Sequence, residues 1–258
     1  MPQSPEPEIE LAQRKLRLLL ALAEEVLPLQ LLSLEQLNKA LRAHTIPMTW
    51  RNRVLIGLAL KAFSSFERLV ADAREKRAEC SHHLKTMVES FIYSHWVSRD
   101  TGEQRARLVY GEGCRARAVY HENVSDSPQE REHAREWREL LTEAIRGIEP
   151  EWQSFRQTKL EQLAEQCGLE AHYRSIYRMA CEAAHIADLS VYMPPEPDGD
   201  LSLAPPLISL LRTYVSLKYG LHLACDLLHD ASDVLRIGAD QQINTLRQSL
   251  SSIQTMKE

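Results

Sequence analysis

An all-α fold, a bundle of about eight to ten helices in a single domain, is what this sequence predicts, and three observations predict it. Glycine is scarce, at 9 of 258 residues, and aromatic residues make up only 6%. Leu, Ala, Glu, Arg and Gln, all good helix formers, take the places that β-branched and aromatic residues fill in strands. Apolar residues recur at intervals of three and four through most of the chain, and short polar clusters containing Pro or Gly separate those stretches. A hydrophobic fraction of 44% and a charged fraction of 26% provide a sizeable core and a solvated surface.

The elements follow in order. Residues 1–7, rich in proline, read as a flexible leader, with the single domain spanning 8–258. Ile9, Leu11, Leu16, Leu19, Leu20 and Ala23 then repeat at helical spacing until Pro28, where a first helix should stop because proline lacks the N–H that the next turn needs. A second helix, about 33 to 44, has Ser33 with Gln36 three residues on, the pattern of a capping box. From Thr49 a long helix carries Leu55, Leu58, Ala59, Ala62, Phe66 and Leu69, and it becomes polar near residue 71. Leu84, Val88, Phe91, Ile92 and Trp96 mark a core helix that ends at Asp100, Thr101 and Gly102. Leu108, Val109, Ala116 and Val119 mark another, weakened by Gly111 and Gly113.

Ser125 to Pro128 breaks the chain before a charged helix of about 129 to 147, with Trp137, Leu140, Leu141 and Ile145 on one face. Pro150 suits the first turn of a short helix, and Gly168 suits a helix end. After the segment from 169 to 193 comes a Pro- and Gly-bearing loop, 194–204, and then a long helix from Pro205 to about Ile237. Its stripe of Leu207, Leu210, Leu211, Tyr214, Leu217, Leu221 and Ala224 would bury itself best against the preceding helices. The tail, 239–257, is amphipathic and would cap the bundle or a partner.

Composition also bounds the compartment and the chemistry. The acidic, proline-rich start lacks the basic and apolar parts of an export signal. The five cysteines are odd in number and widely spaced, which argues for reduced thiols in cytoplasm. No stretch of about 18 apolar residues is free of charge, so no membrane span is expected. A net charge of −5 gives no general pull on nucleic acid, although the basic stretch Arg105 to Arg117 offers a local contact surface. No phosphate-binding glycine loop, serine elbow or zinc-finger spacing is present.

The segment from Tyr173 to Tyr192 is the most informative. On a helical wheel Ile176, Tyr177, Ala180, Cys181 and Ala184 form a stripe of small and aromatic residues suited to close packing. Arg178 and His185, seven positions apart, lie within about 20° of each other beside that stripe. Glu182 can reach either one along the helix surface. An ion-pair network of Arg178, Glu182 and His185 would account for the same spacing.

Arg178-Met-Ala-Cys-Glu-Ala-Ala-His185, an Arg and a His with six residues between, resembles the catalytic signature of HEPN-type helical ribonucleases over those eight residues. The resemblance implies metal-independent RNA cleavage, of the kind found in toxins and antiviral defence, at a site often assembled where two protomers of a homo-oligomer meet. It implies Arg178 and His185 as catalytic residues, with Glu182 and Tyr177 positioning them, and no cofactor. The chemistry is coherent: an imidazole titrating near pH ~6.5 can exchange protons with a ribose 2′-hydroxyl, and a guanidinium can hold the phosphate. The chain is also similar, over about residues 85 to 193, to a bacterial helical family of unknown function. In that family a Glu-bearing helix like 86 to 97 precedes a segment like Tyr173, Tyr177 and His185. The alternative function is a non-catalytic module that binds a protein partner through the stripe of the 205–237 helix or through the tail.

Metal binding is a second alternative. Glu-x-x-His occurs as Glu79 with His82, Glu130 with His133 and Glu182 with His185, the form that helical di-iron sites use in pairs. Such a site needs two further inward carboxylates; Glu89 is one candidate, whereas the last long helix has only Asp226, Asp230 and Asp233. Solvated faces explain the copies at 79 and 130. His222, Asp226 and His229 make a two-His, one-Asp set on that helix, with surface pairing as the simpler account. Glu89, among Phe91, Ile92 and Trp96, reads as a buried carboxylate that either carries a proton or, as the favoured reading, pairs structurally with an arginine.

Overall fold

The computed structural model describes residues 6–75, 77, 80–124, 127–182, 206–235 and 239–256. Among them every regular element is helical, as the composition predicts. The helices are α1 (Glu6–Arg42), α2 (Trp50–Arg74), α3 (Cys80–Ser98), α4 (Gln104–Val124), α5 (Pro128–Ile145), α6 (Glu149–Gln157), α7 (Leu160–Cys167), α8 (170–182), α9 (Pro206–Leu235) and α10 (Asp240–Thr255). The chain groups into two compact units. One comprises 1–46, 59–91 and 171–258; the other comprises 47–58 and 92–170. No helix among the described residues is long and apolar enough to cross a membrane.

Two expectations about the first unit need correction. Glu6 and Pro7 belong to α1 rather than to a leader, and α1 runs unbroken through Pro28 to Arg42. Proline in a helix interior costs about 3 kcal/mol, since the carbonyl four residues back loses its donor. Burial outweighs that cost: Leu16, Leu19, Leu22, Ala23, Val26 and Leu37 are all buried, and a fully buried Leu or Val stabilises by roughly 1.5–3 kcal/mol. Ser33 therefore caps nothing. It lies inside the helix, and its hydroxyl donates to the Leu29 carbonyl at 2.8 Å.

The apolar stripe of α9 packs along α1, and α10 packs on both. Leu210, Leu217, Leu221 and Ala224 are buried, as are Ile243, Leu246, Leu250 and Ile253 of α10. Much of the α9 stripe and of the tail's apolar face is thus buried inside the unit, although Leu211 of the stripe stays 44% exposed. Gly220 lets α9 come close, because a Cβ there would lie 3.0 Å from Leu69 Cδ1.

In the second unit α4 and α5 form an antiparallel hairpin. Gly111 and Gly113 leave α4 continuous. Gly111 does more than tolerate the helix: a Cβ there would meet Ile145 Cγ2 at 3.1 Å and Trp152 Cζ3 at 3.3 Å. Ser127 caps α5 by accepting from the Glu130 N–H at 3.2 Å. Arg107 closes its other end, donating to the carbonyls of Ala144 at 2.8 Å and Arg146 at 2.5 Å; these are groups a helix end would otherwise leave unsatisfied. Pro150 falls in the first turn of α6, and Gly168 ends α7 in the left-handed region with φ 67°, both as predicted. Trp96 is core, stacked on Phe155 at 5.3 Å.

Candidate functional site

The informative segment folds as α8, in which Glu170–His172 and Arg178–Glu182 flank a π-helical turn, Tyr173–Tyr177. Such wider turns often occur at functional sites. Ile176 and Ala180 point inward and are buried, so two residues of the predicted stripe do form a packing face. Tyr173 and Tyr177, one turn apart, stack with ring centroids 5.0 Å apart and an interplanar angle of 22°.

Tyr177 Oη donates to Glu89 Oε1 at 3.1 Å. Burial pushes this phenol's pKa up, and the neighbouring Cys181 thiol and the Glu89 carboxylate push it in the same direction. Tyr177 is therefore a fixed hydrogen-bond donor rather than a base. Glu89 finds its partner in a tyrosine hydroxyl, not in the arginine that the sequence suggests. Arg178, on the next turn, is exposed, with its guanidinium 5.9 Å from the centre of the Tyr173 ring, within cation–π range.

Of the four residues selected from the sequence, Tyr177 and Arg178 share this surface of the first unit. His185 lies outside the described residues, as does the side chain of Glu182. Sequence reasoning missed His172, whose ring lies 5.6 Å from that of Phe91. Its buried Nδ1 has no hydrogen-bond partner among the described residues. No spacing marks that residue in the sequence, because only the fold of α8 brings it beside α3.

The basic stretch from Arg105 to Arg117 is largely committed within the chain. Arg105 lies over the Trp96 ring at 5.0 Å and donates to the Trp96 carbonyl at 2.9 Å. Arg107 holds the end of α5, and Arg115 pairs with Glu112 at 2.5 Å.

The metal-ligand candidates separate in the same way. His222, Asp226 and His229 do not converge. His222 meets Gln254, Asp226 accepts from Arg247 at 2.6 Å, and His229 faces Asp240 at 3.5 Å. Of the three Glu-x-x-His copies, Glu79 and His185 fall outside the described residues, and His82 is exposed. Glu130 and His133 are joined by His121 from α4, and one ligand atom from each of the three lies within 4.8 Å of the others.

Residues 52–200 match the model of a family described as of unknown function, DUF5677, and this span contains the 85 to 193 region for which a similarity to such a family is expected. No curated protein and no solved structure shows significant similarity to the chain.

Proposed function

We propose, for a chain that belongs to the DUF5677 family, that it is a HEPN-like, metal-independent endoribonuclease working through Arg178 and His185, as a toxin or antiviral-defence effector. The observation that carries this reading is the exposed Arg178 guanidinium set against the Tyr173 ring, which also stacks on Tyr177. A guanidinium recognises a phosphate oxygen, and a half-buried aromatic ring beside it can stack an unstacked base, so the pair suits single-stranded RNA better than a duplex. His185 takes the proton from the 2′-hydroxyl, whose oxygen attacks the adjacent phosphorus, and the 5′-oxygen leaves with a proton returned to it. Arg178 neutralises the charge that builds on the phosphoryl oxygens. Tyr177, held by Glu89, and Glu182 position the two. A spacing of seven residues would correspond to about 10 Å of rise on an ideal helix, so in this proposal one protomer of a homo-oligomer supplies Arg178 and its neighbour supplies His185.

The test is cleavage of single-stranded RNA in EDTA by the purified chain and by its Arg178→Ala and His185→Ala variants, with thermal melts to establish folding. Loss of the general acid/base should lower the rate by about 10²–10⁴-fold, and loss of the guanidinium should be similarly severe. Wild-type protein without cleavage, or both variants cutting at the wild-type rate, would reject the proposal.

A further inference from the structure

His121, Glu130 and His133 belong to the second unit of the chain, whereas Tyr177 and Arg178 belong to the first. His121 stands in the last turn of α4, whereas Glu130 and His133 occupy successive turns at the start of α5. Three features of the hairpin assemble them. The Ser127 cap fixes the first turn of α5 through the Glu130 N–H, which sets the direction of the Glu130 side chain. The i, i+3 spacing puts His133 on the same face, one turn further along. Packing of α4 along α5 then brings His121 beside both. His121 Nδ1 lies 2.6 Å from Glu130 Oε2, and the two imidazole rings have centroids 5.2 Å apart with an interplanar angle of 67°. The side chains of His121 and Glu130 are only 16% and 25% exposed, so this is not a solvated acidic face.

We infer that His121, Glu130 and His133 bind one divalent transition-metal ion, zinc by preference, which clamps the α4–α5 turn. Two imidazoles and one carboxylate form a borderline donor set that suits zinc and cobalt and is poor for magnesium or calcium, which take oxygen ligands. The separation of the ligand atoms, up to 4.8 Å, needs only side-chain rotation to reach a tetrahedral cage. Zn–N and Zn–O bonds of about 2.0–2.2 Å place ligand atoms roughly 3.3–3.6 Å apart. A hydrogen bond between His121 and Glu130 satisfies two of the three groups and leaves the second imidazole with no part in it. A cation at the centre of the three engages all of them. Three protein ligands leave a fourth position to water, which gives the site exchangeable metal rather than the locked ion of a four-ligand finger. The fold does not depend on the ion, because Ser127 and Arg107 already hold both ends of α5.

The test uses the full chain, stripped with EDTA, dialysed, and titrated with zinc chloride and separately with cobalt chloride. One equivalent of zinc should bind, cobalt should give the visible absorption bands of a tetrahedral site, and zinc should abolish those bands. His121→Ala, Glu130→Gln and His133→Ala should each weaken binding by more than the ~10–100-fold loss typical of a residue that merely supports a ligand. Where a variant fails to fold, the wild-type chain decides. Zinc should protect His121 and His133 from carbethoxylation and leave exposed His82 reactive. No zinc or cobalt uptake, uptake unchanged in the three variants, or no selective protection of these two histidines would each overturn the inference. None of these outcomes bears on RNA cleavage, which is measured in EDTA with a different set of substitutions.

Discussion

The α1–α9–α10 layer and the α4–α5 hairpin reach helical packing by opposite means. In the layer large side chains do the work: Leu19, Leu217, Leu221, Leu223 and Ile243 are almost wholly excluded from solvent. In the hairpin most buried positions are small, with Ala106, Gly111, Cys114 and Ala118 on α4 and Ala134 and Ala144 on α5, beside only Leu108 and Leu141 as larger ones. Precision there comes from polar fastenings, namely the Ser127 cap, the Arg107 bonds to two carbonyls and the Arg138–Glu122 pair at 2.9 Å. A layer held by area tolerates a local fault, and α1 accommodates Pro28. A hairpin held by fit and by named partners places side chains accurately, which is what a group such as His121, Glu130 and His133 requires.

The sharpest way to break this contrast is to remove volume from the layer. Leu221→Ala empties a fully buried site and should cost about 2–5 kcal/mol, the largest stability loss in the set, read from urea unfolding monitored by circular dichroism. A loss under roughly 1 kcal/mol, the scale of a surface change, would mean that α9 is not held by its apolar stripe.

Adding volume to the hairpin comes next. Gly111→Leu drives a side chain into Ile145, Trp152 and Leu141, which a bare Cβ would already approach at 3.1–3.4 Å; overpacking of this kind costs about 1–3 kcal/mol. Gly111→Ala balances a smaller clash against a helix-propensity gain of about 1 kcal/mol, so it should be close to neutral. If Gly111→Leu matched the wild type in urea unfolding, the close approach of α4 to α5 and α6 would be wrong. The same substitution should also loosen the metal site, whereas Leu221→Ala should leave it intact in the folded protein.

The same two regions show what was legible in the sequence. Periodicity marked the layer because burial is written into the spacing of its leucines, and Gly168 and Pro150 marked ends because their backbone preferences act locally. Pro28 misled for the opposite reason: its local penalty was read, while the tertiary burial that outweighs it was not visible from the neighbouring residues. Ser33 followed, since a capping box has meaning only where a helix begins. At the candidate site the Arg178 turn was found through spacing along one helix. The Tyr177–Glu89 bond and the contact of His172 with Phe91 depend on α3 meeting α8, eighty-eight positions apart for the bonded pair. Three Glu-x-x-His copies look alike in the sequence, and among the described residues the hairpin distinguishes Glu130 and His133 by supplying His121.

The smallest expected effect concerns His222, a histidine inside the apolar layer. Burial lowers its pKa below the usual ~6.5, against the nearby Asp226 carboxylate, which raises it; the Lys218 and Arg247 cations lower it further, and the Gln254 side chain acts in the other direction. In the folded state the ring thus binds a proton less readily than in the unfolded chain. Stability from this residue is complete above about pH 6.5 and falls as pH drops from there through the lowered folded pKa, because the unfolded chain takes up the proton first. Urea midpoints measured from pH 7.5 downward should decline in that window, and His222→Gln should flatten the decline while keeping an amide able to meet Gln254. An identical slope in the variant would place the acid sensitivity elsewhere in the chain.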